Sequence, residues 1–295
     1  EGLREHLKNQ IYENNLGEFF KLQFKNFETE KEIKKSIKSI GKIKNKISIN
    51  VQSQYEQFPY PRWVDEGLES YVMNSYFDRI KNDVFPNIIN KKVPIKKVLI
   101  AGCGTGRQAL TCAKTDENAI VYALDISKES LSYGKRMAEM YGIKNINWFH
   151  GDILNLDEFD EIFDVIECTG VLHHMENPQE ALYSLDKKII KKGFFKIALY
   201  AKKYRELLKP EKNIIKQNNF KTNINDVRKA RELLMEKGLK QQFTSFSIND
   251  FYSTSDFIDL LMHHHELSYS IQDLYNLYKN KYEFLGFVFS DQKIK

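Results

Sequence analysis

The feature that most constrains the fold is a short apolar run leading directly into three closely spaced glycines. The run from Val98 to Ala101 predicts a buried strand, and Gly102, Gly104 and Gly106 follow it. Glycine has no Cβ, so this loop lets the backbone turn sharply and approach a ligand closely. Residues 107 to 114 then have helical composition. A strand, a glycine loop and a helix N-terminus together predict a site where backbone N–H groups meet a polar ligand.

The spacing of the glycines separates two kinds of cofactor site. A dinucleotide site has the pattern G-x-G-x-x-G, whereas here the pattern is G-x-G-x-G and Arg107 stands where the third dinucleotide glycine would be. A second apolar run, Ile120 to Asp125, ends in an acid about twenty residues after the loop, the spacing that brings a carboxylate to a pair of ribose hydroxyls. The simpler interpretation is a Rossmann-like unit with an ordinary turn and a surface aspartate.

Together with three later stretches, this pattern resembles the class I S-adenosylmethionine-dependent methyltransferases over roughly residues 95 to 200. The later stretches are a third strand with Gly151-Asp-Ile153, a fourth strand with its loop from Phe163 to His174, and a fifth strand from Gly193 to Tyr200. Two outer stretches, Tyr55 to Trp63 and Phe251 to Glu266, resemble a subgroup of these enzymes that is often fused to tetratricopeptide repeats.

The alternation of strands and helices with short connections predicts an α/β, Rossmann-like, doubly wound and mostly parallel sheet of six to seven strands. We expect N-terminal helices before the sheet and a helical insert before its last strands. The expected divisions are a helical or lid region (1–90), a cofactor-binding core (91–200), an acceptor-side insert (201–268) and a final helix and strand (269–295). The run from Tyr282 to Phe289 is predicted to be the sixth strand.

The resemblance implies S-adenosyl-L-methionine as cofactor and assigns roles along the carboxyl edge of the sheet. The glycine loop would approach the methionine and ribose portions, Asp125 would accept hydrogen bonds from the ribose hydroxyls, and Asp152 would bind the adenine amino group. The predicted cofactor-binding residues are Gly102, Cys103, Gly104, Thr105, Gly106, Asp125, Ile126, Asp152, Ile153, Thr169 and Gly170.

Two histidines, His173 and His174, are candidates for a proton acceptor, because histidine can act as a base near neutral pH. We predict His173 as the catalytic residue. The alternative is that both histidines merely begin the loop before Pro178. Methyl transfer needs a base only if the acceptor must lose a proton, since the cofactor already carries a good leaving group.

Two prolines, Pro59 and Pro61, force an extended path through the aromatic segment from Tyr55 to Trp63. The resemblance to methyltransferases implies that this segment forms a strap over the cofactor. Core packing is the alternative. The candidate substrate or lid residues are Tyr55, Tyr60, Arg62, Tyr200 and His263.

The stretch from Ser255 to Glu266 is predicted to be a capped helix on which Asp259, His263 and Glu266 share a face. A metal site is one interpretation of that face and a solvated polar face is the other. We predict no metal, because one helix offers three ligands at most and the sequence suggests no second cluster.

A row of isoleucines, Ile33, Ile37, Ile40, Ile43 and Ile47, recurs at helical spacing. It predicts an amphipathic helix packed on the catalytic domain, and a helix that binds membranes or nucleic acid is the alternative. Gly41 interrupts this row.

Composition limits the remaining classes of function. The chain has 295 residues, of which 42% are hydrophobic and 29% charged, with a net charge of +5. It contains no run of about 18 apolar residues, so we expect no membrane span. Its three scattered cysteines are interpreted as reduced thiols of a cytoplasmic protein. The chain begins with Glu1, and we expect it to be a piece of a longer protein.

The predicted function is methyl transfer to an oxygen or nitrogen of a small-molecule, peptide or other flexible acceptor. A nucleic-acid acceptor is disfavoured because the Asn/Asp-Pro-Pro-Tyr run of many base-methylating enzymes is missing. The alternatives are a non-catalytic cofactor-binding or scaffold domain and a nicotinamide-dependent oxidoreductase.

Overall fold

The chain folds around a parallel sheet of six strands, which a computed structural model describes together with its flanking helices. The described residues are 17, 24–64, 75–85, 93–238 and 248–288. The strands of the chain are β1 (Lys38–Ile40), β2 (Val84–Phe85), β3 (Lys97–Ala101), β4 (Ile120–Asp125), β5 (Ile146–Gly151), β6 (Phe163–Thr169), β7 (Ile189–Ala198) and β8 (Phe287–Val288). The main sheet has the order β1-β5-β4-β3-β6-β7, with every neighbouring pair parallel. This confirms the predicted Rossmann-like class.

Helices cover both faces of the sheet and also form the insert. They are α1 (Asn26–Ser36), α2 (Lys46–Gln57), α3 (Tyr76–Asp83), α4 (Arg107–Thr115), α5 (Lys128–Met140), α6 (Pro178–Asp186), α7 (Lys202–Leu207), α8 (Lys209–Gln217), α9 (Ile224–Glu236), α10 (Ile248–Tyr252), α11 (Thr254–Leu261) and α12 (Ile271–Tyr278). Two 3₁₀ helices follow β5 and β6, at Ile153–Glu158 and Leu172–His174. Side-chain caps fix several starts: Asn45, Ser127 and Ser253 accept backbone N–H groups of α2, α5 and α11. Such a cap is worth about 1 kcal/mol.

The core consists of two apolar layers, one on each face of the sheet. In β3 the residues Val98 to Ala101 are all buried, and in β4 only Ile120 is exposed. Strands buried on both faces are typical of parallel sheets covered by helices. The chain winds from β3 outward through β4 and β5 and then crosses back to β6. Ligands of such sheets bind at the carboxyl edge where the order reverses.

The isoleucine row is not one helix, which corrects the sequence interpretation. Helix α1 ends at Ser36, and Lys38 to Ile40 pair instead as an edge strand with Phe149 to Gly151. Gly41 follows with φ +62°, a left-handed turn that favours glycine. Ile33, Ile37 and Ile40 are buried all the same. Helix and strand both bury these side chains, so their spacing alone cannot separate the two.

The predicted sixth strand is also placed wrongly. The described part of the 282–289 segment contributes only β8, which pairs antiparallel with β2 in a separate two-stranded sheet. The sixth strand of the main sheet is therefore β1, since it occupies the open edge of β5. Parts of the predicted 1–90 region, including residues 65–74 and 86–90, lie outside the described residues. Within the described ranges, α3 ends at Asp83.

The insert helices pack around a hydrophobic cluster of their own, which includes Phe251, Phe257 and Val227. Helix α11 ends at Leu261, so the predicted helix to Glu266 is five residues too long. Asn223 caps α9 by accepting the Asp226 N–H. No helix among the described residues has both the length and the apolar character needed to cross a bilayer.

Candidate active site

A cavity of about 740 Å³ lies at the carboxyl edge of β3, β4, β5 and β6. Its size is that of a typical small-molecule or cofactor site. The residues predicted from sequence that line it are Gly102, Cys103, Gly104, Asp125, Ile126, Asp152, Ile153, Thr169, Gly170, Tyr55 and Tyr60. The ends of four strands therefore meet in one space, as the parallel topology requires.

The glycine loop is held against the strap by direct backbone contacts. The carbonyl of Tyr60 accepts the Thr105 N–H at 3.3 Å, and the Thr105 hydroxyl donates to the Pro61 carbonyl. Gly104 has φ +53°, and a Cβ at this position would lie 2.5 Å from the Tyr60 carbonyl oxygen. Only glycine therefore allows the loop and the strap to approach this closely. Trp63 donates its indole N–H to Thr105 at 3.1 Å and completes the contact.

Asp125 is buried at the end of β4 and accepts two backbone hydrogen bonds. The Gly104 N–H donates to Oδ2 at 2.7 Å and the Ser127 N–H donates to Oδ1 at 2.8 Å. Burial raises the pKa of Asp125 to about 6, although these backbone donors act to lower it. A carboxylate has about four acceptor positions, so two bonds leave it able to accept from the hydroxyls of a ligand.

Asp152 and the turn after β6 form two further walls of the cavity. Asp152 caps the 3₁₀ helix through the Leu154 N–H at 3.0 Å. Gly170 has φ +77°, and a Cβ there would meet no heavy atom within 4 Å. The Gly170 backbone is therefore bare on the cavity side. Ile126 and Ile153 add apolar side chains to the lining beside these polar groups, a combination suited to an adenosine.

A charged network lies at the other end of the cavity, next to Thr169. The Gln108 amide donates to Thr169 at 3.3 Å and also to the buried carboxylate of Glu167. Lys196 lies 3.8 Å from that carboxylate and 3.9 Å from Asp83. Through Asp83 the network continues to a further arginine on the cavity wall.

That arginine is Arg79, whose Nε lies 3.7 Å from Asp83. Its Nη1 is buried and has no hydrogen-bond partner within the described residues. Buried guanidinium N–H groups usually find an acceptor. An anionic ligand group in the cavity would supply one, since Arg79 and Gln108 both line it.

The two histidines after β6 differ sharply in their surroundings. His174 lines the cavity, whereas His173 is 1% exposed and is not among the lining residues. The His173 ring stacks on Tyr200 at 3.7 Å, and neither of its nitrogens has a hydrogen-bond partner in the described chain. Burial, followed by the charge of neighbouring groups, lowers the pKa of His173 to about 2. Geometry thus favours His174 over His173 as the residue that can meet a ligand.

The tautomer of His174 is fixed by its backbone contact. Its Nδ1 lies 2.9 Å from the His265 carbonyl oxygen, which can only accept, so Nδ1 carries the proton. The neutral ring then has its lone pair on Nε2. The Leu267 N–H donates to the His173 carbonyl at 2.7 Å, and this bond holds the 262–267 segment against the 3₁₀ helix.

Next to His174 lies a carboxylate bridged by two phenols. The hydroxyl of Tyr55 donates to Asp259 at 2.6 Å and the hydroxyl of Tyr200 donates to its other oxygen at 2.9 Å. The Nε2 of His263 lies 3.3 Å from the Tyr55 hydroxyl. The His265 N–H donates to Nδ1 of His263 at 3.2 Å, so Nε2 carries the proton of the neutral ring and donates to Tyr55.

The ligand atoms of His174, Asp259 and His263 all lie within 4.8 Å of one another, which raises the metal interpretation again. Glu266 does not join them and instead pairs with Arg205 and Lys212. Both ring nitrogens of His263 are already engaged in hydrogen bonds. Its Nδ1 accepts the His265 N–H, and its Nε2 carries a proton and therefore offers no lone pair to a metal ion. The prediction of no metal stays a prediction.

Several predicted site residues lie outside the cavity lining, and other residues take their place. Arg62 lies over the Tyr133 ring at 5.5 Å. Tyr200 donates to Asp259, which also accepts from Tyr55, and the His263 ring stacks on His174. Thr105 and Gly106 belong to the glycine loop and are themselves buried. Arg79 and Gln108 were missed, because a polar residue on a helix carries no sequence signal for facing a cavity.

Comparison with known proteins gives a family and a fold. The family model described as "Methyltransferase domain" matches residues 93–281. The mitochondrial ubiquinone biosynthesis O-methyltransferase of Schizosaccharomyces pombe is 32% identical over 100 residues, which are 33% of this chain and 35% of that protein. The ubiquinone biosynthesis O-methyltransferase of Rickettsia conorii is 30% identical over 121 residues, covering 41% of this chain and 37% of that protein.

Among solved structures, PKMT2 from Rickettsia typhi in complex with AdoHcy matches with a TM-score of 0.54 and 21% identity. That match covers 80% of this chain and 48% of PKMT2. At this identity the match shows the fold alone. The chain spans about a third of the length of the two curated relatives. The resemblance to a subgroup fused to tetratricopeptide repeats stays a prediction.

Proposed function

This chain belongs to the methyltransferase-domain family, as a class I S-adenosylmethionine-dependent methyltransferase, and on that premise we propose that its acceptor is an oxygen or nitrogen of a small molecule or flexible peptide. The observation that carries the proposal is one continuous cavity. It joins the glycine loop and Asp125 at one side to Tyr55, Tyr60 and His174 at the other.

The residues of the carboxyl edge suit the adenosyl part of the cofactor. Asp125 keeps free acceptor positions for ribose hydroxyls, and Asp152 is suited to the adenine amino group. Ile126 and Ile153 offer apolar surface for the ring. The bare backbone of Gly170 supports close approach of the remainder.

Arg79 and Gln108 suit the carboxylate of the cofactor's methionine part. The buried Nη1 of Arg79 lacks an acceptor among the described residues, and a carboxylate would provide one. Gln108 already reaches Thr169, which is predicted to lie near that carboxylate. This pair would fix which way the cofactor lies in the cavity.

His174 is the proton acceptor that the geometry favours. When bound, the cofactor supplies a methyl group on a sulfonium, a reactive centre that needs a correctly placed nucleophile. His174 would accept the acceptor's proton at Nε2, because its Nδ1–H is held by the His265 carbonyl. His173, the residue predicted from sequence, would act only through packing under Tyr200.

The insert is proposed to form the acceptor side, with the divisions at 1–90, 91–200, 201–268 and 269–295. Its support is that Asp259 and His263 bond to Tyr55 on the cavity wall. A cytoplasmic location is proposed on the basis of three free, buried cysteines. A nucleic-acid acceptor is not part of the proposal.

Calorimetric titration with S-adenosylmethionine and S-adenosylhomocysteine tests the cofactor assignment, with NAD for comparison. We expect binding of the two adenosyl compounds, and we expect it to be lost in Asp125→Ala. Transfer of radiolabelled methyl to a panel of hydroxyl and amine compounds then tests the reaction. Adenosyl binding without transfer to any member of the panel would favour a cofactor-binding domain without catalysis.

A further inference from the structure

We propose that the acceptor group is a basic amine, attracted as an ammonium by the carboxylates of α10 and α11 and deprotonated by His174. The inference rests on the proposed function and narrows it from oxygen or nitrogen to nitrogen. It is argued from the side chains around the acceptor end of the cavity, where Tyr55, Tyr60 and His174 form the wall.

The first observation is the free nitrogen of His174. The residue is 5% exposed and lines the cavity, and its Nδ1–H is bound to the His265 carbonyl at 2.9 Å. Within the described chain, Nε2 has no hydrogen-bond partner. A buried, unprotonated nitrogen on a side chain that lines the cavity is suited to take a proton from a ligand.

The second observation is a set of three carboxylates beside this wall. Asp256 and Asp259 lie one turn apart in α11 and are 9% and 5% exposed, and Asp250 lies in the preceding helix α10. None of the three forms an ion pair within the described residues. Burying carboxylates without a counter-ion is costly, and a cationic ligand would offset that cost.

A hydrogen bond connects these carboxylates to the cavity, because the hydroxyl of the cavity-lining Tyr55 donates to Asp259 at 2.6 Å and Asp256 lies one turn away on the same helix. Burial is the first cause that raises the pKa of Tyr60, and Asp259, Asp256 and Asp250 follow in that order. Arg107 acts in the opposite direction and has a smaller effect than any of the three. The hydroxyl of a cavity-lining side chain therefore lies in a negative field.

Two cations near Tyr200 have other partners. Arg205 lies over the Tyr200 ring at 4.1 Å, pairs with Glu266 and donates to the Leu260 carbonyl at 2.7 Å. Lys212 pairs with the same Glu266. Among the described residues, neither cation forms an ion pair with Asp250, Asp256 or Asp259.

The aromatic wall and the field act on an amine in the same direction. An ammonium is attracted by the face of a desolvated tyrosine ring such as that of Tyr55 or Tyr60. A hydroxyl acceptor gains nothing comparable, and its loss of a proton would create an anion next to Asp259. The carboxylates therefore favour binding of an ammonium over binding of a hydroxyl, and His174 must remove one proton before the nitrogen can attack the methyl group.

The methyl transfer balances in atoms and charge with the amine, His174 and the cofactor as its reactants. The ammonium gives one proton to Nε2 of His174, and the charge of the resulting imidazolium is offset by Asp259, which lies within 4.8 Å. The freed nitrogen lone pair forms an N–C bond to the methyl group while the C–S bond breaks, and the bonding pair remains on sulfur. The positive charge passes from sulfur to nitrogen, and His174 later releases its proton to water.

The test compares amines with matched neutral compounds: phenethylamine with 2-phenylethanol, hexylamine with hexanol, and a lysine peptide with its norleucine counterpart. Binding is measured by calorimetry with and without S-adenosylhomocysteine, so its outcome does not depend on cofactor binding. We expect at least one amine to bind about tenfold more tightly than its partner. Asp256→Asn and Asp250→Asn should each weaken amine binding by about fivefold.

Asp157→Asn is the matched control, because Asp157 is 64% exposed and pairs with Lys187 on the surface. It should leave amine binding unchanged. With trideuteromethyl cofactor, the label should appear on nitrogen. The inference is overturned if no amine binds more tightly than its neutral partner, if neither aspartate variant affects binding, or if the label appears on oxygen. Failure of the proposed function is distinct, since adenosyl compounds would then not bind.

Discussion

The rings of His174 and His263 stack face to face, with their centroids 3.6 Å apart and their planes at 22°. Imidazole lone pairs lie in the ring plane, so two nearly parallel stacked rings cannot direct both lone pairs at one ion. This relationship supports the interpretation of the cluster with Asp259 as a group of hydrogen-bonded side chains, and the absence of a metal stays a prediction.

This arrangement predicts that metal does not stabilise the fold. We expect the melting temperature of the purified chain to be the same with EDTA and with added Zn²⁺ or Mg²⁺, because a bound ion would stabilise the folded state by mass action. Differential scanning fluorimetry with both His263→Ala and the unmodified chain is the measurement. A rise of several degrees with one ion, abolished in the variant, would contradict the prediction.

The raised pKa of Asp125 predicts a pH dependence of cofactor binding. Its carboxyl group is ionised above a pKa of about 6 and protonated below it. If the ionised form accepts the ribose hydroxyls, affinity for S-adenosylhomocysteine should fall by up to about tenfold per unit below that pH. Titrations between pH 5 and pH 8 measure this fall. In Asp125→Asn, binding should be weak and independent of pH over the same range.

The free energy of unfolding should depend on pH in the opposite direction to cofactor affinity. The pKa of Asp125 is higher in the folded chain than the value of about 3.9 for an unfolded aspartate, so the folded state binds the proton more tightly. Its contribution to the free energy of unfolding is therefore greatest below about pH 4 and is lost as the pH rises to about 6. Urea denaturation of the unmodified chain and Asp125→Asn would separate this contribution from those of other groups.

Asparagine substitutions separate the roles of the two adjacent histidines. In His174→Asn the amide can still donate to the His265 carbonyl while the base at Nε2 is lost, so kcat should fall by about 10²- to 10⁴-fold with little change in stability. His173→Asn should instead lower the free energy of unfolding by about 2 kcal/mol and leave kcat within a few-fold. Loss of kcat in His173→Asn alone would restore the prediction made from sequence.

Arg79 should distinguish ligands that carry the cofactor's carboxylate from those that do not. Removing one charged hydrogen bond in Arg79→Met should weaken S-adenosylhomocysteine by about 10- to 100-fold. The same variant should bind 5′-methylthioadenosine, which lacks the amino-acid part, almost unchanged. Arg228→Met is the control, because Arg228 is an exposed residue of α9. Equal weakening of both ligands would mean that Arg79 supports the fold instead.

The sequence by itself determined five of the six strands of the main sheet, β3 to β7, and the part of the cavity that they build. The apolar run from Val98 to Ala101 predicts a buried strand, and the glycines after it predict a sharp turn. The parallel topology then brings Asp125, Asp152 and Thr169 to one edge, since the carboxyl ends of parallel strands share an edge. These relations are local or follow from periodicity, and both can be read along the chain.

Only the tertiary structure decided which side chains meet across elements. The row from Ile33 to Ile40 is buried whether it is helix or strand, and the open edge of β5 selected the strand. His174 reaches the cavity and His173 does not, because the His265 carbonyl holds one ring and Tyr200 covers the other. Asp259 meets Tyr55 and Tyr200 through contacts between distant segments. Sequence spacing carries no information about such contacts, because they depend on how α11 packs against the strap and the end of β7.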